Sequence, residues 1–310
     1  MPLFAMLKSR FGEGQWYAGT GVASPARFES ARRPCDSIPQ MPGEMGFGTL
    51  SRIRIYPIKS LAPVEVSEAR IGPTGGLVQD RIWALYGSDG RWINGKRTPA
   101  VHFLRTKFAP DLSSVKLSVA AGRNGPSPAT FAFPADTARA SEWFSSYFGE
   151  PVTVRNSEVG FPDDDLAPGP TLVSTASLEA VCSWFPELSF ESARLRFRAN
   201  LEIAGVRPFE EDRLFTGEKG TFVRFGIGEV RFEGSNPCAR CAVPPRDPHT
   251  SEAIADFQKR FASLREMHLP PWAAAARFDH FYRFALNTRV PASEAGKALR
   301  LGDALFLAAP

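Results

Sequence analysis

From Leu50 onward apolar and polar residues alternate in short runs. Arg52-Ile53-Arg54-Ile55-Tyr56 places an apolar side chain at every second position, the period of a strand with one buried face. Similar runs at 64–71, 80–86, 103–108, 115–119 and 130–133 predict further strands. Gly, Pro and Asn punctuate them, and Ser88-Asp89-Gly90 turns the chain back into Arg91-Trp92-Ile93 as a hairpin. Many short strands at even spacing predict an antiparallel barrel or a curled sheet.

The period changes at 136–148. There Trp143 and Tyr147, and Phe144 and Phe148, are i,i+4 pairs, so a helix is expected. A short strand follows at 152–154, then an acidic, proline-rich loop or junction at 160–170. Ser174 is placed to cap a helix running to Phe185, with Leu178, Val181, Cys182 and Phe185 on one buried face; Cys182 is thus a core residue, and Pro186 ends the helix. Residues 195–203 alternate as a strand with Arg196, Arg198 and Asn200 on one face. Phe209-Glu210-Glu211-Asp212 is an acidic turn. Residues 221–225 and 230–232 flank Gly226-Ile227-Gly228-Glu229 as a hairpin. Ile254, Phe257, Phe261 and Leu264 mark an amphipathic helix, 281–290 a strand, and 297–301 with 304–307 a closing hairpin. There is no internal repeat and no helix–strand alternation of the doubly wound kind.

Composition narrows the classes. Apolar residues at 43% with 12% aromatics build a full core over 310 residues, enough for one large domain or two. The formal charge of +4 is spread without a basic run, which gives nucleic-acid binding no support. Four cysteines do not form a secreted disulfide framework, and no run of 18 apolar residues predicts a membrane span. Residues 1–46 read as a disordered arm, either a weak organellar transit peptide or an extension ahead of a natural start at Met45. Cys35, within it, is a bystander.

The chemistry gathers in Ser235-Asn236-Pro237-Cys238-Ala239-Arg240-Cys241, followed by Asp247-Pro248-His249-Thr250. Prolines fix φ and remove donors, so this stretch is expected to be a stiff irregular loop rather than a helix or central strand. Arg240 between two thiols favours the thiolate. The spacing fits a structural turn, half a zinc site, a redox pair, or a single thiolate ligand to a metal carried by a larger cofactor. Spacing alone does not rank these.

Four stretches in order resemble the MOSC family, of the type with an N-terminal β-barrel domain. They are Tyr56-Pro57-Ile58-Lys59-Ser60, Asp80-Arg81-Ile82-Trp83, Phe197-Arg198-Ala199-Asn200-Leu201, and Cys238-Ala239-Arg240-Cys241 with Asp247-Pro248-His249-Thr250. The resemblance implies a β-rich α+β fold, with an N-terminal β-barrel-like domain at 47–160 packed on a MOSC β-barrel domain with a few helices at 161–310. It implies a molybdenum–molybdopterin cofactor at the domain interface. Cys241 would be the metal's thiolate ligand. Lys59, Ser60, Arg81, Arg97 and Arg198 would hold phosphate and pterin, Asn200 would give amide hydrogen bonds, and Arg240 positive charge. Cys238 and Asp247 would support the loop. The segment before Ser174 lacks the aspartate and longer polar loop of eukaryotic members, leaving Ser174 or Thr175 as substitutes; 214–224 also differs, and with it substrate access.

The implied activity is reduction of N-hydroxylated or N-oxide-type small molecules by oxygen-atom transfer. With four cysteines the sequence has no plant-type iron–sulfur array, so the electrons would come from an external flavoprotein, cytochrome b5-type or ferredoxin-type donor. The location would be cytoplasmic, or organellar if the arm is a transit peptide. The rivals are a cofactor or sulfur carrier without its own turnover, and a β-rich domain whose cysteine loop is only structural.

Overall fold

A computed structural model describes residues 46–307; the N-terminal arm and Cys35 lie outside them. The chain opens with β1 (Gly46–Ile55), β2 (Val64–Val66), β3 (Glu68–Arg70) and β4 (Trp83–Tyr86). Next come β5 (Leu104–Phe108), β6 (Ser114–Val119), β7 (Ala129–Ala132), α1 (Thr137–Phe148) and β8 (Thr153–Asn156). The middle holds β9 (Leu172–Ser174), α2 (Thr175–Trp184), α3 (Phe190–Phe197), β10 (Leu201–Ala204), β11 (Val223–Ile227) and β12 (Val230–Ala239). The chain ends with α4 (Phe257–Met267), β13 (Arg283–Arg289), β14 (Ala298–Arg300) and β15 (Ala304–Leu307).

Strands β10, β9, β13, β12, β11, β15 and β1 pair in that order, and β1 returns to β10, which closes a barrel of seven strands. Closure leaves this sheet few open edges. Inward side chains such as Leu50, Ile53, Ile203, Phe225, Phe232 and Leu305 fill it. Only β9 and β10 run parallel, and the crossover this requires is α2 and α3. Those helices, with α4, bury a second aromatic core of Phe185, Phe197, Phe257, Phe261 and Phe284. Cys182 is half-buried against it, as its helical position predicts. Between β1 and β9 the chain builds a third core, where α1 covers the β4–β8 pair and the β5–β6–β7 sheet. The β-rich architecture with a few helices follows the alternation in the sequence.

Three local expectations are corrected. Residues 195–203 are not one strand. Ser189 accepts a hydrogen bond from Ser192 N and starts α3, which Arg198 ends in the left-handed conformation at φ 52°, before β10 begins. The predicted strand at 80–86 is a strand only from Trp83, with Asp80 and Arg81 in the preceding turn. The closing hairpin does not pair with itself: β14 pairs with β3, while β15 pairs with β1 and β11.

The acidic stretch after Phe209 is a buried 3-10 turn, Glu210–Leu214, against the barrel. Glu211 accepts from Ser177 Oγ at 2.9 Å and Ser174 N at 3.3 Å. Burial, with Asp212 adjacent, pushes its carboxyl up to about 7 from 4.5. The folded state therefore holds this proton more tightly than the unfolded chain. Its contribution to stability is full below pH 4.5 and is lost as pH rises to about 7. The loss is on the order of 3 kcal/mol from this group. Urea titrations at about pH 5 and about pH 8 should show that wild type loses this increment and Glu211→Gln does not.

Candidate functional site

The first two motifs knit together through the backbone. Tyr56 N donates to Asp80 Oδ1 at 2.7 Å, and Arg81 N to Tyr56 O at 2.8 Å. Lys59 N donates to Trp83 O at 2.7 Å, and Trp83 N to Pro57 O at 3.1 Å. Arg81 and Arg198 then lie over the ring of Tyr56, with guanidinium carbons 5.0 and 4.1 Å from its centre. A fully buried tyrosine thus aligns two cations from segments more than a hundred residues apart. Ser60, Arg81 and Arg198 all have positive φ, at 75°, 53° and 52°. Such backbone strain concentrates where side chains must be aimed.

These residues line one cavity of about 1170 Å³. Lys59, Ser60, Arg81, Arg198, Asn200, Cys238, Arg240 and Cys241 all reach it. Arg97 does not: Asn94 Oδ1 accepts from the backbone N–H of Lys96 and of Arg97, and this turn sends Lys96 to the cavity and Arg97 outward, onto Trp92 O. Asp247 also stands back. It accepts from His249 N, Thr250 N and Arg196 Nη2, and so shapes the loop after Cys241. Ser174 is fully buried as the cap of α2, and Thr175 Oγ1 donates to Glu202, so neither lines the cavity; Thr171 does.

Asn200 is committed to protein partners. Its Nδ2 donates to Arg54 O at 3.0 Å, while Oδ1 accepts from Arg81 Nη1 at 3.2 Å and from Thr171 Oγ1 at 3.3 Å. It fixes the direction of Arg81. Arg198 is the contrast. Its guanidinium makes no hydrogen bond or ion pair within the described residues, and burial beside Arg81 holds its pKa below the ordinary value.

The cysteine stretch is less of a loop than its prolines imply. β12 runs on to Ala239, with bulges between Gly234 and Asn236 and between Pro237 and Ala239. Beyond Gly234 it has left β11 and pairs only with β13, so Pro237 sits where its missing N–H breaks no ladder. A Cβ on Gly234 would lie 1.7 Å from Leu214 O, so glycine is required there. The irregular loop begins at Arg240. Arg240 Nη1 donates to Cys238 Sγ at 3.2 Å and Nη2 to Phe197 O, while its buried Nε has no partner. Cys238 and Cys241 raise the pKa of this guanidinium against the opposing effect of burial. Cys241 is half-buried in the cavity wall and its thiol has no partner within the described residues, while its carbonyl accepts from Tyr282 OH at 3.2 Å. Among the described residues no three His, Cys, Asp or Glu side chains gather to hold a metal by themselves.

Sequence reasoning missed the acidic junction. Lys59 Nζ donates to Phe161 O at 2.8 Å, Pro162 O at 3.2 Å and Asp163 Oδ1 at 2.6 Å, and Asp163 also lies 3.7 Å from Arg81. Burial acts to raise the Asp163 carboxyl, but Arg81 and Lys59 together hold it below the ordinary range. Burial lowers Lys59, with Asp163 opposing. A carboxylate of the chain itself thus sits on Lys59 and Arg81. Because its side chain is 73% exposed, the pair is weak. Asp163→Asn is expected to tighten inorganic pyrophosphate at Lys59 and Arg81 about twofold to fivefold in equilibrium dialysis, the reach of an exposed ion pair.

A closed seven-stranded barrel, with a basic cavity lined by two free cysteines, defines the class of β-barrel protein to which the chain belongs. Residues 47–151 match the MOSC N-terminal beta barrel domain, and residues 171–305 match the MOSC domain. The chain therefore belongs to the MOSC family, with both domains in order. It is 24% identical over 299 residues to mitochondrial amidoxime reducing component 2 of Rattus norvegicus, covering 84% of this chain and 83% of that one. It is also 24% identical over 261 residues to the molybdenum cofactor sulfurase of Danio rerio, covering 70% of this chain but only 30% of the sulfurase. Among solved structures, the YuaD protein from Bacillus subtilis is similar with a TM-score of 0.35 and 12% identity, covering 85% of this chain and 96% of that one. No helix among the described residues is long and apolar enough to cross a membrane.

Proposed function

We propose that this chain binds a molybdenum–molybdopterin cofactor and reduces N-hydroxylated or N-oxide-type substrates by oxygen-atom transfer. Support comes from one juxtaposition: the free thiol of Cys241 and the guanidinium of Arg198, stacked on Tyr56 but without a hydrogen bond or ion pair within the described residues, line the same cavity. The donor set suits the group. A soft thiolate matches a metal already held by sulfur, and an arginine fork matches phosphate oxygens. The orphaned Arg240 Nε and the free hydroxyl of Ser60 add donors on that wall. When bound, the cofactor supplies a metal that exchanges an oxygen atom and two electrons with the substrate.

The chain's own residues do the rest. Cys241 donates its thiolate to the metal. Arg198, Ser60 and Arg81 hold phosphate and pterin, and Lys59 joins them when Asp163 yields. Tyr56 and Asn200 hold the guanidinium planes in place, while Arg240 offsets negative charge beside Cys241. Cys238 and Asp247 set the course of the loop. Electrons come from a separate flavoprotein, cytochrome b5-type or ferredoxin-type donor. We place the protein in the cytoplasm, or in an organelle if residues 1–46 act as a transit peptide. The equal identity to a cofactor sulfurase supports a second reading, a cofactor or sulfur carrier with the same binding residues and no turnover.

The test is purification from cells that make the cofactor, with molybdenum measured by mass spectrometry. Near-stoichiometric metal supports the binding, and reductant-driven loss of an N-hydroxy compound separates enzyme from carrier. Folded protein without molybdenum overturns both.

A further inference from the structure

The cofactor assignment leaves a second group of cations in the cavity unused. Lys96, Arg105 and Arg246 line it, and none forms an ion pair within the described residues. Arg105 donates only to carbonyl oxygens, those of His102, Leu104 and His249, at 2.8, 2.9 and 3.2 Å. Arg246 makes one long contact, to Ser251 O at 3.4 Å. His102 lies among them, 9% exposed, and its buried Nε2 sits against the Gly95 backbone without a well-formed hydrogen bond. Burial, with Arg246 and Arg198 nearby, keeps its imidazole below the ordinary pKa and therefore neutral. The wall is built from both segments of the chain. A Cβ on Gly95 would lie 2.8 Å from His102 Nε2 and 3.7 Å from Val243, so the 95–105 stretch packs on the loop that leaves Cys241.

The contrast with Lys59 and Arg81 gives this its meaning. Asp163 sits directly on those cations, whereas Lys96, Arg105 and Arg246 form no such ion pair, and the carboxylate of Asp247, engaged with Arg196 and its own loop, acts on Arg105 and His102 only from a distance. Cations gathered in a concave, partly dry wall, and outnumbering the carboxylates near them, raise the local potential and concentrate anions. A buried imidazole nitrogen whose hydrogen bond is poorly formed gains from a ligand that supplies a better one.

We propose that His102, Arg105, Arg246 and Lys96 form a second anion seat, which takes an oxyanion group carried by the substrate. Naming the occupant as substrate rests on the function proposed above; the seat itself does not. Arg246 and Lys96 supply charge, Arg105 holds the His249 side of the loop against the His102 turn, and His102 Nε2 gives one neutral hydrogen bond. A substrate fixed there lies beside the Cys241 loop.

Equilibrium dialysis of radiolabelled inorganic phosphate against the full chain tests the seat. Lys59→Gln is expected to leave one class of phosphate binding intact. In that background Arg246→Gln should weaken this class about tenfold, the size of a lost charge-assisted contact. Lys96→Gln, at an exposed position where folding is not at issue, should weaken it severalfold. Unchanged binding in both variants overturns the seat. The cofactor-loaded protein separates the two sources of an anion: retained Arg246-dependent binding supports a substrate group, and its loss on loading assigns the seat to the cofactor and overturns the proposal. With a reductant, KM for an N-hydroxyamidine bearing a carboxylate should be lower than for its neutral analogue, and Arg246→Gln should abolish the difference. An equal KM for the two in wild type overturns the substrate assignment. Absence of any turnover counts against the proposed function alone, because dialysis still decides the seat.

Discussion

Cys241→Ser is expected to lower turnover more than about 100-fold, because partners one shell removed from a metal already contribute about 10–100-fold. A serine hydroxyl is a hard, protonated oxygen, a poor substitute for a soft thiolate on a metal held by sulfur. The thiol has no hydrogen bond within the described residues and is only half-buried, so the fold should tolerate the change to within about 0.5 kcal/mol. Cys238→Ser is the control. Its sulfur accepts from Arg240 Nη1, a role that a serine oxygen can also play, so metal content should be kept. X-ray absorption should count one sulfur fewer around molybdenum in Cys241→Ser and the wild-type number in Cys238→Ser. Wild-type turnover by Cys241→Ser would remove the ligand assignment, and loss of metal in Cys238→Ser alone would move it.

Many strands, in the barrel and in the β5–β6–β7 sheet, were legible as short alternating or apolar runs bounded by turn residues. β5, β6, β7 and β13 overlap the runs expected to be strands, β11 runs on through Gly226 and Ile227 into the expected turn, β13 is buried along nearly its whole length rather than alternating, and α1 and α2 lie where aromatic and aliphatic faces recur. The failures have separate physical causes. Leu195 and Phe197 mimic alternation only because a helix ends there and a strand begins three residues after the left-handed cap at Arg198. β14 and β15 are adjacent in sequence, but their partners are fixed by strands near the start of the chain, which no local pattern reports.

The site divides in the same way. Motif residues gathered in one cavity because the backbone bonds between Tyr56 and Arg81 are set by the motifs themselves. Arg97 was misplaced by a single residue, since the Asn94 turn decides which of two neighbouring cations faces inward. Asp163 and His102 carried no signal of their own. An aspartate in a proline-rich junction reads as solvated until Lys59, 104 residues away, is seen to bind it. His102 is notable only for a buried nitrogen held against Gly95 without a well-formed hydrogen bond.

Asp212→Ala should be the most destabilising single change outside the cavity. Asp212 pairs with Arg265 Nη2, and both are buried, at 4% and 1% exposure. The guanidinium lies over Phe209 at 4.2 Å and Phe278 at 5.0 Å, and its Nε and Nη1 already lack partners. Removing the carboxylate strands a permanent cation in an aromatic pocket, which costs about 3–5 kcal/mol. Arg265→Met should cost less. Burial holds the Asp212 carboxyl above its ordinary range even beside Arg265, so without that arginine it can protonate, and methionine fills part of the space. That same upward shift indicates that attraction within the pair does not fully offset its desolvation. Replacing both groups, as in Asp212→Leu with Arg265→Met, should therefore recover most of the stability lost in Asp212→Ala. Urea midpoints for the two single variants and the double variant give the coupling directly. An Asp212→Ala protein within about 0.5 kcal/mol of wild type would mean that the pair does not form, and a double variant as weak as Asp212→Ala would mean that the ion pair itself, rather than its desolvation, sets the stability of this core.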